Sequence, residues 1–376
     1  MSADEDRVEP DCVPGAPHPR ETQSLIGQSA AEASFLEAAT SQRLHHAWLI
    51  TGPKGVGKAT LAWRMASFLL SHEPELEEAG LFEPPPAPTS LEIDPASSIA
   101  RRISALSEPR LFLLRRGFDD KGKPRRVITV DETRALKSFL ALSAADGGRR
   151  VVVVDSVDEM NSNAANALLK LLEEPPDNTV LLLISHQPAR LLPTIRSRCR
   201  TLRCVPLSPQ DLTTAVANAG IEMTGDEIAL AALSSGSPGV AIELLTGGGL
   251  DLYGSLARLV AKAPEMSRPE ALAFAAQAKP NTAQTTLIIQ LIDIFLSRLA
   301  THGAGSPAAN EAAKGEAELF SRIAPDQHAA RVWAQLHQEL GTRTRHGIAV
   351  NLDPSALILD TVLDINKAAR GILSAR

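Results

Sequence analysis

The segment Gly52-Pro53-Lys54-Gly55-Val56-Gly57-Lys58-Ala59 constrains this chain more than any other. It follows a short apolar run, Ala47-Trp48-Leu49-Ile50. It precedes a stretch in which Leu61, Ala62, Met65, Ala66 and Leu69 recur at helical spacing. The order is strand, glycine loop, helix. Glycines let the backbone curl so that its N–H groups face an anion. The helix N-terminus adds the positive end of its dipole, and a lysine ammonium reaches outer phosphates. Gly52, Gly55, Gly57 and Lys58 are therefore candidate nucleotide-binding residues of a P-loop NTPase fold. The plain alternative is a glycine-rich turn of no lineage; the strand and helix on either side speak against it.

One position departs from the motif. The hydroxyl that follows the lysine in a P-loop holds Mg²⁺, and here the residue is Ala59. Thr60 is next, but one step along a helix turns a side chain by about 100°, so it does not substitute. A second motif is the β-branched run Val151 to Val154 ending in Asp155, a candidate nucleotide-site carboxylate at the exit of a buried strand. The residue after it is Ser156, which cannot act as a base.

Around these motifs the pattern predicts helices over 27–43, 59–71, 131–142 and 164–174, with Asp131 as an N-cap and Pro175-Pro176 as a stop. Strands are expected at 111–114, 127–130, 180–184 and 201–205. Alternating strands and helices imply an α/β fold with a parallel sheet covered on both faces. After Leu207 the strand signal vanishes and Ser208-Pro209 opens a run of helices.

At 376 residues, two or three domains are expected. The sequence divides into a flexible tail over 1–21, a P-loop domain over 22–206, a small helical domain over 207–249 ending in the linker Gly247-Gly248-Gly249, and a helical domain over 250–376. Within the P-loop domain, 73–109 reads as an exposed acidic, proline-rich insertion with a short helix near 99–106. Aromatics make up only 3 % of the chain and the net charge is -6, which weighs against nucleic-acid binding by base stacking or a broad basic face. The basic stretch Arg115 to Arg126 reads as a solvated hairpin tip, with a DNA or partner contact as the alternative. Cys12, Cys199 and Cys204 are too few for a disulfide framework, so a cytoplasmic setting is expected. The acidic N-terminus is neither a signal nor a transit peptide. The apolar stretch 285–300 contains Asp293 and Arg298 and reads as a buried helix rather than a membrane span. His45 and His46 have no acidic or thiol partner nearby in sequence and are expected to serve packing.

The third motif is Ser197-Arg198-Cys199, downstream of Leu168 to Pro176. Together with Leu44-His45-His46-Ala47, the glycine loop, Asp131 to Arg134 and Asn166 to Pro176, it resembles the clamp-loader subunits of bacterial DNA polymerase III, an AAA+ family. Asn351-Leu352-Asp353-Pro354 also looks like the C-terminal helices of that family. The resemblance implies an AAA+ domain, a small helical lid and an all-helical collar domain. It also implies membership of a five-subunit ring that loads a sliding clamp onto primed DNA, with ATPase subunits and a delta subunit as partners.

Within such rings the stator does not hydrolyse ATP; it offers an arginine in trans to a neighbouring motor, and Arg198 matches that arginine. Ala59 and Ser156 fit a stator, as does Gly239, which stands where motors carry an arginine that senses the γ-phosphate. Many relatives carry a four-cysteine zinc module after the P-loop. This chain has no cysteine between Cys12 and Cys199, so no zinc is expected. No cofactor is expected to be required, with ATP or ADP bound weakly at the glycine loop. The alternatives are a motor ATPase in which Asp158 or Glu159 activates water and, more remotely, a P-loop kinase or another nucleotide-dependent transferase.

Overall fold

The computed structural model describes residues 9–22, 24–41, 43–72, 88–119, 122–141, 148–280 and 282–375. The chain forms two compact units: Met1–Ile221 with Ser237–Gly239, and Glu222–Gly236 with Val240–Arg376.

The first unit runs α1 (Ser29–Thr40), β1 (Ala47–Thr51), α2 (Lys58–Ser71), α3 (Ser98–Ser104), β2 (Leu111–Arg115), α4 (Val130–Ala141), β3 (Arg150–Asp155), α5 (Ser162–Glu173), β4 (Thr179–Ser185), α6 (Pro193–Ser197), β5 (Arg200–Arg203) and α7 (Pro209–Asn218). All strand pairs are parallel, in the order β2-β3-β4-β1-β5. The central strands are continuous apolar runs because helices cover both faces. Val151 to Val154 and Val180 to Ile184 are all buried. Ala47, Leu49, Leu136, Leu168, Leu172 and Ile195 share one core cluster with Val152, Val154, Leu181 and Leu183. Full burial of each such aliphatic side chain is worth about 1.5–3 kcal/mol. In an open parallel sheet, ligands bind outside the carboxyl ends of the strands where the order reverses. Here that place lies beyond Thr51, where β1 feeds the glycine loop.

Several expectations need correction. Residues 127–130 are not a strand: only Ile128 bridges, to Met160, and Val130 already begins α4. Thr129, not Asp131, starts that helix, with its N–H donated to the Glu132 carboxylate at 2.8 Å. Residues 9–21 are not a free tail, because their charged groups are paired and His18 is buried. Of the insertion, 73–87 lies outside the described residues. Over 88–109 it is not simply exposed: Leu91 and Ile103 are buried, and buried Glu108 pairs with Arg102 and Arg110.

The second unit is helical: α8 (Glu227–Ser234), α9 (Pro238–Thr246), α10 (Gly249–Val260), α11 (Arg268–Ala275), α12 (Ala283–Gly303), α13 (Glu316–Ile323), α14 (Gln327–Ala349) and α15 (Pro354–Ser374). The expected boundaries at 207 and 249 fall inside units: α7 belongs with the sheet, and Gly247 to Gly249 form a tight turn between α9 and α10. Gly247 and Gly249 are packing positions, since a Cβ on either would stand 2.5 Å from a leucine side chain, Leu287 and Leu244 respectively. By length and composition α12 could cross a membrane, but Leu287, Ile288, Leu291, Phe295, Leu296 and Leu299 are buried inside the unit. Beside it, buried Glu316 accepts hydrogen bonds from Tyr253, from Arg298 at 2.8 Å and from the Ala312 N–H at 2.6 Å.

Candidate functional site

The glycine loop has the geometry its sequence implies. Gly52, Gly55 and Gly57 have φ of 148°, 75° and 101°, values that side chains with a Cβ avoid. At Gly52 there is also no room: a Cβ would lie 2.5 Å from the Cys204 carbonyl oxygen, just past β5. Lys58, the first residue of α2, is buried and turned back on the loop, donating to the carbonyls of Gly52 at 2.9 Å and of Pro53. Burial lowers its pKa to about 8, against smaller opposing effects of Cys204, Asp155 and Asp158. Ala59 follows with no oxygen to offer a metal.

Two groups that sequence reasoning passed over hold this loop. The buried Gln28 amide donates to Val205 O at 2.8 Å and Val56 O at 3.3 Å, and accepts from the Val205 N–H at 3.0 Å. Ser237 donates to Lys54 O at 2.8 Å, and the Gly239 N–H donates to Gly55 O at 2.9 Å. A Cβ on Gly239 would come within 2.8 Å of Gly55 Cα. The residue expected to have lost a sensing arginine is thus a backbone contact that excludes any side chain. A lone Gln before a helix, or a glycine in a loop, carries no periodic signal by which to find such contacts.

The Asp155 carboxyl is raised to about 7, chiefly by burial and then by the nearby charges of Asp11 and Glu159; Lys58 and Arg116 oppose this. Ser156 is buried with no hydrogen-bond partner on its hydroxyl. The two acids considered as bases have other roles. Asp158 accepts from Ser185 Oγ at 2.8 Å and from the His186 N–H, fixing the exit of β4. Glu159 pairs with Arg116 at 2.9 Å. His186, also passed over in the sequence, lies within electrostatic reach of Lys58, and burial lowers its pKa to about 4, leaving it neutral.

The N-terminal segment reaches this edge of the sheet. Arg115, at the end of β2 and in register with Asp155, pairs with Glu9 and Asp11, and Arg116 donates to Pro10 O at 2.7 Å. The paired residues Arg115 and Arg116 are therefore not a solvated tip. Lys121 lies outside the described residues, and the rest of the turn is closed by a bridge between Phe118 and Pro124. The Arg20 guanidinium holds the Glu9 carboxyl down at about 2. Glu9, Asp11 and His18 stand close enough to suggest a metal, but the chemistry argues otherwise. His18 Nδ1 accepts the Arg20 N–H at 3.1 Å, so the ring proton of the neutral form sits on Nε2, facing Asp11 at 3.4 Å. That nitrogen has no lone pair to give, and arginines already neutralise the carboxylates. Burial raises the thiols of Cys199 and Cys204 to about 12 and 11, which keeps both protonated.

Arg198 is at the other edge. β5 begins at Arg200, in register with Trp48 near the start of β1, whereas the glycine loop follows Thr51. Three residues of strand separate the two levels, about 10 Å. The Arg198 guanidinium bonds Glu173 Oε1 at 3.1 Å and Thr194 O at 3.1 Å, and its side chain remains 37 % exposed. Glu173 ends α5, which is anchored at this level by His46 Nε2 against Leu172 O at 3.2 Å. His46 stacks on His45 with centroids 4.4 Å apart, so the histidine pair packs the edge.

A five-stranded parallel sheet in this order, with a phosphate loop after β1 and an aspartate closing β3, defines a P-loop protein of the AAA+ class. Residues 27–208 match the family described as DNA polymerase III, delta subunit. The chain is 41% identical over 159 residues to DNA polymerase III subunit delta′ of Pseudomonas aeruginosa, covering 42% of this chain and 43% of that one. It is 28% identical over 326 residues to the Escherichia coli delta′ subunit, covering 86% and 89%. The Bacillus subtilis delta′ subunit is 33% identical over 171 residues, 45% and 44% of the two chains. Two of these three matches thus span less than half of the relative. Over residues 27–208 the chain is thus similar to the delta-prime subunits of DNA polymerase III.

Proposed function

We propose that this chain is a non-hydrolysing stator of a clamp loader, working in DNA replication. It supplies Arg198 to the ATP of a neighbouring motor subunit while its own P-loop stays silent. The observation that carries this reading is the placement of Arg198: a strand's length from its own glycine loop and half-exposed, so that the triphosphate it can serve belongs to another chain. An arginine supplied in trans stabilises charge on the transferring phosphoryl group. The chain's own loop lacks what hydrolysis needs. Ala59 offers no metal oxygen, Ser156 no base, and Asp158 and Glu159 are held by other partners.

The partners in this reading are the ATPase subunits and the delta subunit of a cytoplasmic five-subunit ring, and through them the sliding clamp and primed DNA. The turns at Gly52, Gly55 and Gly57 suit a phosphate, so ATP or ADP binds weakly and without Mg²⁺. Calorimetry in the presence and absence of the metal checks this; tight, strictly Mg²⁺-dependent binding contradicts it. For the main reading, the Arg198→Ala chain is reconstituted with its partner subunits. Loss of DNA-stimulated ATPase with an unchanged mass of the complex is expected. Unchanged ATPase overturns the proposal.

A further inference from the structure

Resting on that reading, we propose that Glu173 is a positioning residue for Arg198: it holds the guanidinium in one direction before a neighbouring triphosphate arrives. A free arginine side chain carries rotamer entropy, which docking onto a phosphate would otherwise have to overcome at that moment. Here two of the guanidinium groups are already fixed, Nη2 on Glu173 Oε1 and Nη1 on Thr194 O. A guanidinium has five N–H donors, so these two bonds leave others to meet phosphate oxygens.

The geometry makes Glu173 more than a chance surface partner. It is the last residue of α5, and its position is set from both sides. Asn161 caps the start of the helix by accepting the Ala164 N–H at 2.9 Å, and buried Leu168 and Leu172 fasten it to the sheet. Leu172 O is held by His46. On the arginine side, Arg198 closes the short helix α6, whose Ile195 is buried. Both ends of the pair are therefore carried by rigid elements of one core. Arg196 and Arg200 flank Arg198, and among the described residues neither has a carboxylate within ion-pair range. Glu173 is thus the local anion that selects one direction for the Arg198 guanidinium within a positively charged edge.

The test uses the reconstituted complex and three versions of this chain: Glu173→Ala, Glu173→Gln and Glu173→Ala with Arg198→Ala. A half-exposed ion pair is worth at most a factor of about five. Glu173→Ala is expected to lower kcat for DNA-stimulated ATP hydrolysis by about three- to five-fold, with KM for ATP within about two-fold, because the pair acts when the phosphoryl group transfers. Glu173→Gln keeps an acceptor oxygen but not the charge, and is expected to recover only part of that loss. The double variant should be no slower than Arg198→Ala alone, since Glu173 acts only through the arginine. A further loss in the double variant, or an unchanged kcat in Glu173→Ala, overturns the inference while leaving the role of Arg198 intact. If Arg198→Ala itself has no effect, the parent reading fails instead. Thermal unfolding of each isolated chain separates a folding defect from a positioning defect, and equal midpoints are expected.

Discussion

The two ends of the β-sheet are finished in opposite ways. At the carboxyl end, where a P-loop protein does its chemistry, several of the polar groups are bonded within the protein. Lys58 faces loop carbonyls, Asp158 fixes the exit of β4, Glu159 pairs with Arg116, and Gly239 lies against Gly55. At the amino end, Arg198 stands at the surface with donors to spare. An inventory of motif residues would rank the carboxyl end as the working site. The hydrogen bonds give the reverse ranking, because the bonds at the carboxyl end must break before those groups can act on a ligand, whereas the two bonds of Arg198 leave further N–H donors for one.

Substitutions at the two ends should separate accordingly. The largest effect belongs to the amino end: Arg198→Ala should slow turnover at the neighbouring site it serves by about 10³-fold, the lower range for an arginine acting in trans. Single-turnover hydrolysis in the assembled complex measures it. Next comes the loop's architecture. Gly52→Ala drives a Cβ into the Cys204 carbonyl at 2.5 Å and should cost about 3 kcal/mol in urea unfolding of the isolated chain. Gln28→Leu removes the bridge between the loop and the segment beyond β5, leaves the Val205 N–H without its partner, and should cost about 2 kcal/mol by the same measurement.

The smallest effect has the opposite sign and depends on pH. Asp155 ionises near 7 in the fold but at its ordinary 3.8 when unfolded. Between those values the folded chain keeps a proton that the unfolded chain has released. The wild-type carboxyl therefore loses stability as pH rises from 4 to 7, and the full cost is present above that window. Asp155→Asn removes the cost. It should be more stable than wild type at pH 8 and equal to it near pH 4. A variant less stable at pH 8 would mean that Asp155 is held as an anion at a working metal site.

The carboxyl end was the more legible in sequence. Glycine spacing, the β-branched run of β3 and the strand–loop–helix order are local signals, and the motifs at Lys58 and Asp155 fall where that order places them. The losses at Ala59 and Ser156 were equally plain, since each is a missing atom at a known offset. What sequence could not supply was pairing over distance. Gln28 meets Val205, Glu9 and Asp11 meet Arg115, and Ser237 reaches Lys54 only after the chain has folded. The same blindness misread 9–21 as a tail and Gly247 to Gly249 as a linker, because a short charged or glycine-rich stretch looks alike whether or not something packs on it. Residues 127–130 differ for another reason: a β-branched run fits a strand, but Thr129 and Glu132 close a helix start there first.

The most direct test sets the two ends against each other in one assay. Lys58→Ala and Arg198→Ala are each introduced into this chain, and ATP turnover of the DNA-bound, fully assembled complex is measured beside wild type. The account predicts a rate within about two-fold of wild type for Lys58→Ala, because that lysine acts on no hydrolysed phosphate, and a loss of the served site's turnover for Arg198→Ala. The reverse pattern, with turnover lost in Lys58→Ala and kept in Arg198→Ala, would show that this chain burns its own ATP.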